Sequence, residues 1–449
     1  MKNKPMHPSL IQSFAADFNA NPANKTILNA LTQESITKVG VNREMVTRLD
    51  HSYSHKLKSN PITNQKNSGR CWLFAGLNVF RYAAMEKMNL EAFEFSQNYP
   101  MFWDKFEKAN YFLEAILNTL DEPTDGRLIM HLLMNPIQDG GQWDMFVNLI
   151  KKYGVVPKTV MPETESSSST GMMTGAVTAK LREYAAELRT KHEQGEGIDS
   201  LRERKVAMMN TIYRMLCLHL GQPPKEFYWQ WNDKDNKFQR EGMITPQAFY
   251  DKYVGFDLDS MVCLINAPTA DKPYNRLFTI DYLGNVVEGQ IINYLNVDIE
   301  VMKQAAIRQI SEGERAVWFG CDVGKLLERE GGIMAEDTYD FEGIYGEAFV
   351  ADKAMRLDYG QSMMTHAMVF TGVNIDESGK STKWRVENSW DDKNGDKGFY
   401  IMTDDWFNEY LYEVVVEKQF VPEEILKVLE TEPIHLPPWD PMGALAAAE

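Results

Sequence analysis

The apolar pattern changes character near Phe227, and that change bounds the fold. Up to Leu220, apolar residues recur at intervals of three or four: Leu73, Leu77, Phe80, Ala84 and Met88, then Phe102, Phe106, Ala109, Phe112 and Ile116. This is the period of amphipathic helices. Beyond Phe227, short apolar runs appear at Met261–Ile265, Leu277–Ile280, Ile291–Leu295, Ala316–Phe319, Thr365–Gly372, Trp384–Trp390, Gly398–Met402 and Val414–Val416. These have strand length, with one helix expected among them at Ile299–Ile310. A helical half followed by a strand-rich, antiparallel half predicts an α+β fold rather than alternating βα units.

Local signals refine this outline. Ser96 is placed to cap the second long helix, with Pro100 in its first turns. Gly76 interrupts the first helix at a cost of about 1 kcal/mol relative to alanine, so a close neighbour is expected at that face. Asp139-Gly140-Gly141-Gln142-Trp143 reads as a turn, or as backbone that lets a ligand run beside it. Trp143 to Tyr153 reads as a helix stopped by Gly154. Glu163–Thr174 is rich in Ser and Thr and reads as a linker. A helical pair follows, with stripes at Leu181, Tyr184, Ala185 and Leu188, and at Val206, Met209, Ile212, Tyr213, Leu216 and Leu220. Near the N-terminus, a helix is expected around Pro8–Asn19 and broken at Asn21, Pro22 and Asn24. His51 and His55 would share a helix face if that segment were helical. No carboxylate or cysteine joins them, so two polar histidines is the reading taken over a metal site.

The net charge of −17 argues against general nucleic-acid binding, which needs a basic stripe. Met1–Gly40 shows no basic segment followed by an apolar one, and no run of about 18 apolar residues exists, so neither a secretory signal nor a membrane span is expected. Cys71, Cys217, Cys263 and Cys321 are far apart in sequence and form no C-x-x-C pair. Disulfides, a zinc site and any cofactor are unsupported, and a reducing cytoplasm fits.

One cysteine stands apart. Cys71 closes the run Gln65-Lys66-Asn67-Ser68-Gly69-Arg70-Cys71 and opens the helix-like stretch Trp72-Leu73-Phe74-Ala75. A thiol at a helix start meets the positive end of the macrodipole, which favours the nucleophilic thiolate. Downstream, His366 lies near the start of one strand and Asn388 at the end of another. A neutral imidazole can take the thiol proton, and an Asn oxygen accepting the far ring N–H fixes its tautomer. Gln65 can donate to an oxyanion beside the Cys71 N–H. Each residue alone has a plain structural reading; the joint context singles them out. Trp390 either shields the His366–Asn388 contact from water or is core.

The runs around Cys71, Thr365-His366-Ala367-Met368 and Glu387-Asn388-Ser389-Trp390 resemble the three motifs of papain-like cysteine peptidases. Gly140-Gly141 is similar to the segment on which that family lays substrate. The bleomycin hydrolase and aminopeptidase C subfamily is the nearer likeness, on three grounds. Arg70 precedes Cys71. The Cys–His separation (366 − 71 = 295) far exceeds the roughly 130–150 residues of simpler papain-like enzymes. The end, Leu436-Pro437-Pro438-Trp439-Asp440-Pro441-Met442-Gly443-Ala444-Leu445-Ala446, looks like the subfamily's C-terminal arm.

The resemblance implies a papain-like two-lobed fold, a helical lobe plus an antiparallel β lobe, with a helical insertion and a C-terminal arm. The expected segments are 1–165 for the helical lobe with the nucleophile, 166–245 for the insertion, 246–435 for the β lobe with His and Asn, and 436–449 for an arm in the cleft. It implies Cys71, His366, Asn388 and Gln65 as catalytic residues, Gly140, Gly141, Trp390 and Ala446 as substrate-binding residues, and a homohexamer acting on peptides. The arm's carboxylate would receive the substrate's free amine, giving an aminopeptidase of broad specificity. Ala447-Ala448-Glu449 follow the arm-like Ala446. Two alternatives stand beside it: the same Cys-His-Asn chemistry used for other amide hydrolysis or acyl transfer, as in hydrolysis of bleomycin-type amides, and an inactive oligomeric scaffold.

Overall fold

The computed structural model describes residues 4–444. Helices dominate up to Leu220, and a large sheet occupies the rest. The helix Cys71–Met88 forms the spine. It is apolar almost all round and buries residues on every side, as a helix inside a core must. Gly76 has the close neighbour its position implied: a Cβ there would lie 2.6 Å from the Phe146 ring. The helices Asn98–Asn118 and Trp143–Tyr153 pack around the spine. Ser96 Oγ accepts the Tyr99 N–H at 3.0 Å, so it does cap its helix. Gly154, at φ 69°, ends the helix before it.

The sheet has twelve strands. Its central order is Met261–Ile265, Leu411–Glu417, Val317–Cys321, His366–Ile375, Ser381–Glu387 and Phe399–Thr403, with neighbours antiparallel. The edges depart from the antiparallel expectation. Ile333–Met334 joins Phe399–Thr403 in parallel, Tyr294–Asn296 joins Met261–Ile265 in parallel, and Ile434–Leu436 joins Arg276–Ile280 in parallel. Such pairs need long connections, which a chain of this length supplies. One face of the sheet packs on the helix Ile299–Ser311 through a second apolar cluster. The other faces the spine helix; Trp318 on its central strand donates its indole N–H to the Trp72 carbonyl at 3.2 Å.

Several expectations are overturned by the packed structure. Glu163–Thr174 is not a free linker: it carries a short helix, Glu165–Ser168, with a Thr164–Ser167 capping box, and Glu163 is bonded into the nucleophile turn. The 166–245 segment is not wholly helical, since Phe227–Asn232 and Phe238–Ile244 form a separate hairpin after its two long helices. Of the second stripe in that pair, Val206 is 68% exposed and Met208 takes its place in the core. The first helix, Pro8–Ala20, does end at Asn21 as expected, and Asn21 then caps a second helix, Pro22–Leu31. His51 and His55 lie on a bend and a short strand, so the helix face that a metal pair would have needed does not form and the reading of two polar histidines is not overturned.

Candidate active site

Cys71 is the first residue of the spine helix, and the turn before it is tightly bonded. Ser68 Oγ donates to the Gln65 carbonyl at 2.6 Å, and Gln65 Nε2 donates to the Ser68 carbonyl at 2.7 Å. Arg70, fully buried, gives its Nε to Ser68 Oγ at 2.9 Å and both terminal nitrogens to Glu163 at 3.0 and 2.7 Å. Gly69 N–H donates to the Asp139 carboxylate at 3.0 Å. The turn is thereby fastened to the residues before Gly140 and to the start of the inserted helices.

The other wall comes from the sheet. His366 opens its strand, and its Nε2 lies 2.9 Å from Asn388 Oδ1. An amide oxygen only accepts, so Nε2 carries the proton and Nδ1 is left as the acceptor. Asn388 Oδ1 also takes the Ser389 N–H at 2.8 Å, which fixes the amide. The Trp390 ring lies 4.7 Å from the imidazole, half-buried over this contact. The two walls are joined directly. Gln65 N–H donates to the Ser389 carbonyl at 2.9 Å, Ser389 Oγ donates to Gln65 Oε1 at 2.6 Å, and Arg81 on the spine helix pairs with buried Glu387 at 2.5 Å. Ala367 N–H reaches Cys71 Sγ at 3.4 Å. Cys71, His366 and Gln65 line one open cavity of about 370 Å³.

Burial overrides the helix start in setting the thiol. Desolvation pushes Cys71 up to about 12, and backbone donors from Ala367, Trp72 and Cys71 itself pull back only part of it. A macrodipole supplies at most about 2 kcal/mol, less than the desolvation of a fully buried anion. Burial also pushes His366 down to about 4, opposed by its bond to Asn388. A lone thiolate and a lone imidazolium are both disfavoured, so the charges arise together by proton transfer from Sγ to the ring.

Gly140 and Gly141 lie under the cleft wall rather than in the lining of the open cavity. A Cβ on Gly141 would fall 2.6 Å from the Trp72 indole, so close packing on the spine helix demands glycine there. Lys108 Nζ donates to the Gly140 carbonyl at 2.6 Å and Lys105 Nζ to Asp139 at 2.5 Å. The sequence reading missed these buried lysines, although they interrupt an otherwise apolar stripe between Phe102 and Phe112. Ala446 lies outside the described residues. Among the described residues no three His, Cys, Asp or Glu side chains gather to hold a metal, and all four cysteines are free.

The model of the Peptidase C1-like family matches residues 6–443. The chain belongs to the Peptidase C1-like family. This peptidase is 44% identical to the bleomycin hydrolase of Homo sapiens, over 99% of this chain and all of that protein. It is 45% identical to the aminopeptidase C of Listeria monocytogenes, over 97% of this chain and 98% of that protein. Among solved structures it is similar to PepW from Lactobacillus rhamnosis, with a TM-score of 0.97 and 43% identity over 98% of this chain and 99% of that one. The peptidase therefore has the papain-like α+β fold, and it is a papain-like cysteine peptidase.

Proposed function

We propose that this peptidase is a cysteine aminopeptidase that removes N-terminal residues from peptides through a thioester on Cys71. Cys71 Sγ gives its proton to His366 Nδ1 and attacks the scissile carbonyl. The oxyanion meets the Cys71 N–H at the start of the spine helix and the second amide proton of Gln65. His366 then protonates the leaving amine, and water releases the acyl group.

The course of the C-terminal segment carries the exopeptidase part of this reading. Ile434–Leu436 adds a strand beside Arg276–Ile280, Asp440 pairs with buried Lys272 at 2.8 Å, and Arg127 stacks on Trp439 at 3.9 Å. Met442 is buried, and the Ala444 carbonyl accepts from Gln142 Nε2 at 3.0 Å. Gln142 directly follows Gly140-Gly141. A protein segment so anchored closes the cleft beside that backbone, leaving little room for residues ahead of the scissile bond. The relatives named aminopeptidase C support the same reading.

Assembly and setting extend the reading. The helix Pro8–Ala20 buries none of its residues and exposes Leu10, Ile11, Phe14 and Phe18, a face suited to contact between copies in a homohexamer. Four free thiols suit a cytoplasmic setting, and among the described residues no helix is long and apolar enough to cross a membrane. Relatives named bleomycin hydrolase favour a second substrate class, non-peptide amides cleaved by the same thioester route.

The test compares aminoacyl arylamides with a free or an acetylated amine. Preference for the free amine by orders of magnitude, with Cys71→Ser inactive but folded, supports the reading. Equal turnover of both substrates removes the aminopeptidase assignment.

A further inference from the structure

The turn at 322–326 separates two cavities at one end of the sheet, where the strand Val317–Cys321 finishes and the strand His366–Ile375 begins. Val323 lines the cavity beside Cys71. Gly324, Lys325 and Leu326 line a second cavity, of about 890 Å³. The turn is firmly held. Lys325 N–H donates to the Asp322 carbonyl at 3.2 Å, Asp322 N–H to the Tyr410 carbonyl at 3.0 Å, and Ser362 Oγ to the Asp322 carboxylate at 2.7 Å. With the amine end of a substrate directed toward Gln142, the chain beyond the scissile bond enters the cavity that Val323 lines, since Gly140, Gly141, Gln142 and Ala444 are not part of its wall. The second cavity follows on this leaving side, and the specificity assigned to it rests on the aminopeptidase reading.

The step between the two cavities is short. Val323 and Lys325 are two residues apart, so their Cα atoms lie at most about 7.6 Å from each other, and two extended substrate residues span about 7 Å. A first leaving residue beside Cys71 thus brings the third to the second cavity. The wall there is apolar and partly aromatic: Val39 and Val41 from the N-terminal segment, with Leu326, Tyr339, Phe341 and Phe349. Tyr339 and Phe341 have ring centres 5.5 Å apart, and Phe341 and Phe349 5.7 Å. Tyr339 is fixed through its hydroxyl, which donates to the Leu327 carbonyl at 2.6 Å. Phe349 is 68% exposed, so a further apolar side chain laid against it removes apolar surface from water. Charge does not select here. Glu336, Asp340 and Glu342 stand beside Arg43 and Lys325, and Asp337 is paired with Arg48 at 3.0 Å.

We propose that this second cavity is a distal subsite of the leaving side, taking an aromatic or large apolar side chain on the third residue after the scissile bond. Its occupant is the substrate peptide itself. The contact is remote from Cys71 and is made alike in the bound substrate and in the transition state, so it lowers KM and leaves kcat little changed. Peptides long enough to reach Phe349 are thereby favoured over dipeptides, while the residue released from the amine end stays unrestricted by this contact.

The experiment measures the initial release of alanine from Ala-Gly-Gly-Phe-amide, Ala-Gly-Gly-Gln-amide and Ala-Gly-Gly-Gly-amide by the wild type, Phe349→Ser and Phe349→Trp. Covering much of one aromatic ring predicts a preference of about tenfold in kcat/KM for the Phe peptide over the Gly peptide, carried by KM, with the Gln peptide close to the Gly one. In Phe349→Ser the Phe-to-Gly ratio falls to near one, and Phe349→Trp keeps it. Phe349 is largely in water, so neither substitution removes core packing. A ratio near one in the wild type, or the same ratio in wild type and Phe349→Ser, overturns the proposal. An unchanged ratio together with an altered mass of the assembly in Phe349→Ser overturns it as well and gives this wall to contact between copies. Alanyl arylamide is run alongside: its turnover by the wild type upholds the aminopeptidase reading whatever the ratios, and failure to turn it over strikes that reading instead.

Discussion

The Asp139 carboxylate accepts the backbone N–H of Gly69 at 3.0 Å, two residues before Cys71. The same carboxylate takes Thr170 Oγ1 at 2.5 Å and the buried Lys105 ammonium at 2.5 Å. It thus fixes the nucleophile turn against the backbone at Gly140 and the first turn of an inserted helix. Burial alone would raise Asp139, but Lys105, Thr170 and Gly69 outweigh it and hold the carboxyl well below the usual carboxylate range. Asp139→Asn leaves Lys105 buried without its counter-charge, a loss of about 3–5 kcal/mol. We expect a clear fall in denaturation midpoint. We also expect a drop in kcat/KM, at a temperature where the variant is fully folded, because Gly69 is no longer held. A variant as stable and as active as the wild type would refute this role.

Much of this site was legible because chemistry and periodicity coincided. Cys71 sits where an apolar period begins, and His366 and Asn388 sit at strand ends, so their types and places agree. What escaped notice was held by burial and by contacts distant in sequence. Arg70 stands out only as the residue before Cys71 and Glu163 only as the start of a Ser/Thr-rich stretch, since nothing local reveals a bidentate pair across the fold. Lys105 and Lys108 gave a signal, two cations within an apolar stripe, that only a buried acceptor such as the Gly140 carbonyl explains. The burial of the thiol escaped notice for a related reason. A helix start is visible in sequence, whereas the depth at which it is buried is a property of the packed lobes. The short strands Ile333–Met334 and Ile434–Leu436 and the 227–244 hairpin were missed because short runs with mixed polar faces carry little period.

The Arg70–Glu163 pair yields a second prediction. Arg70 is fully buried and uses three nitrogens at fixed angles. A lysine keeps the charge but cannot span Ser68 and both Glu163 oxygens. Arg70→Lys should cost about 1–3 kcal/mol of stability. It should lower kcat more than it raises KM, since the turn positions Cys71 rather than binding substrate. Chemical denaturation and steady-state kinetics on one preparation check both.

Gly141 gives a third. Its hydrogen faces the Trp72 indole so closely that Gly141→Ala must displace the ring. Trp72 donates its indole N–H to the Asp139 carbonyl at 2.8 Å and directly follows the nucleophile. Overpacking of this kind costs about 1–3 kcal/mol. The expected result is a destabilised enzyme with reduced kcat; wild-type stability would mean the ring moves freely, against the packing described.

Stability should fall toward alkaline pH, and Glu413 is the chief reason. Burial, with the Asp144 charge adding to it, pushes Glu413 up to about 8, although it accepts the Cys263 thiol at 2.6 Å. Burial likewise raises Asp144 to about 6, against donors from Asn293 and Gln290. Both folded values exceed the unfolded ones of about 4, so the folded state binds more protons. Their contribution is fully present below pH 4 and is lost as pH rises through about 6 and then 8. Glu413→Gln keeps an acceptor for Cys263 and cannot ionise. It should flatten the decline in unfolding free energy between pH 5 and pH 8, measured by urea titration at several pH values. A decline of unchanged slope would assign it to other groups.

The last prediction concerns how the thiol becomes reactive. Burial sets Cys71 near 12 when its charge must stand alone, so alkylation at neutral pH requires His366 to take the proton. Cys263 and Cys321 are buried and held well above the ordinary thiol value, and Cys217 is raised as well, so none competes at pH 7. Iodoacetamide should therefore label Cys71 selectively in the wild type, with a rate that levels off above the apparent titration of the Cys71–His366 pair. In His366→Ala the thiol loses the base beside it. Labelling at pH 7 should then fall by at least about tenfold and rise steadily with pH through 10, because each added pH unit yields about ten times more lone thiolate. Asn388→Ala should fall between the two, since the imidazole remains but its ring is no longer fixed through Nε2. If His366→Ala labelled as fast as the wild type at pH 7, the thiolate would be stabilised by the helix start after all, and the proton transfer to His366 would not be what activates Cys71.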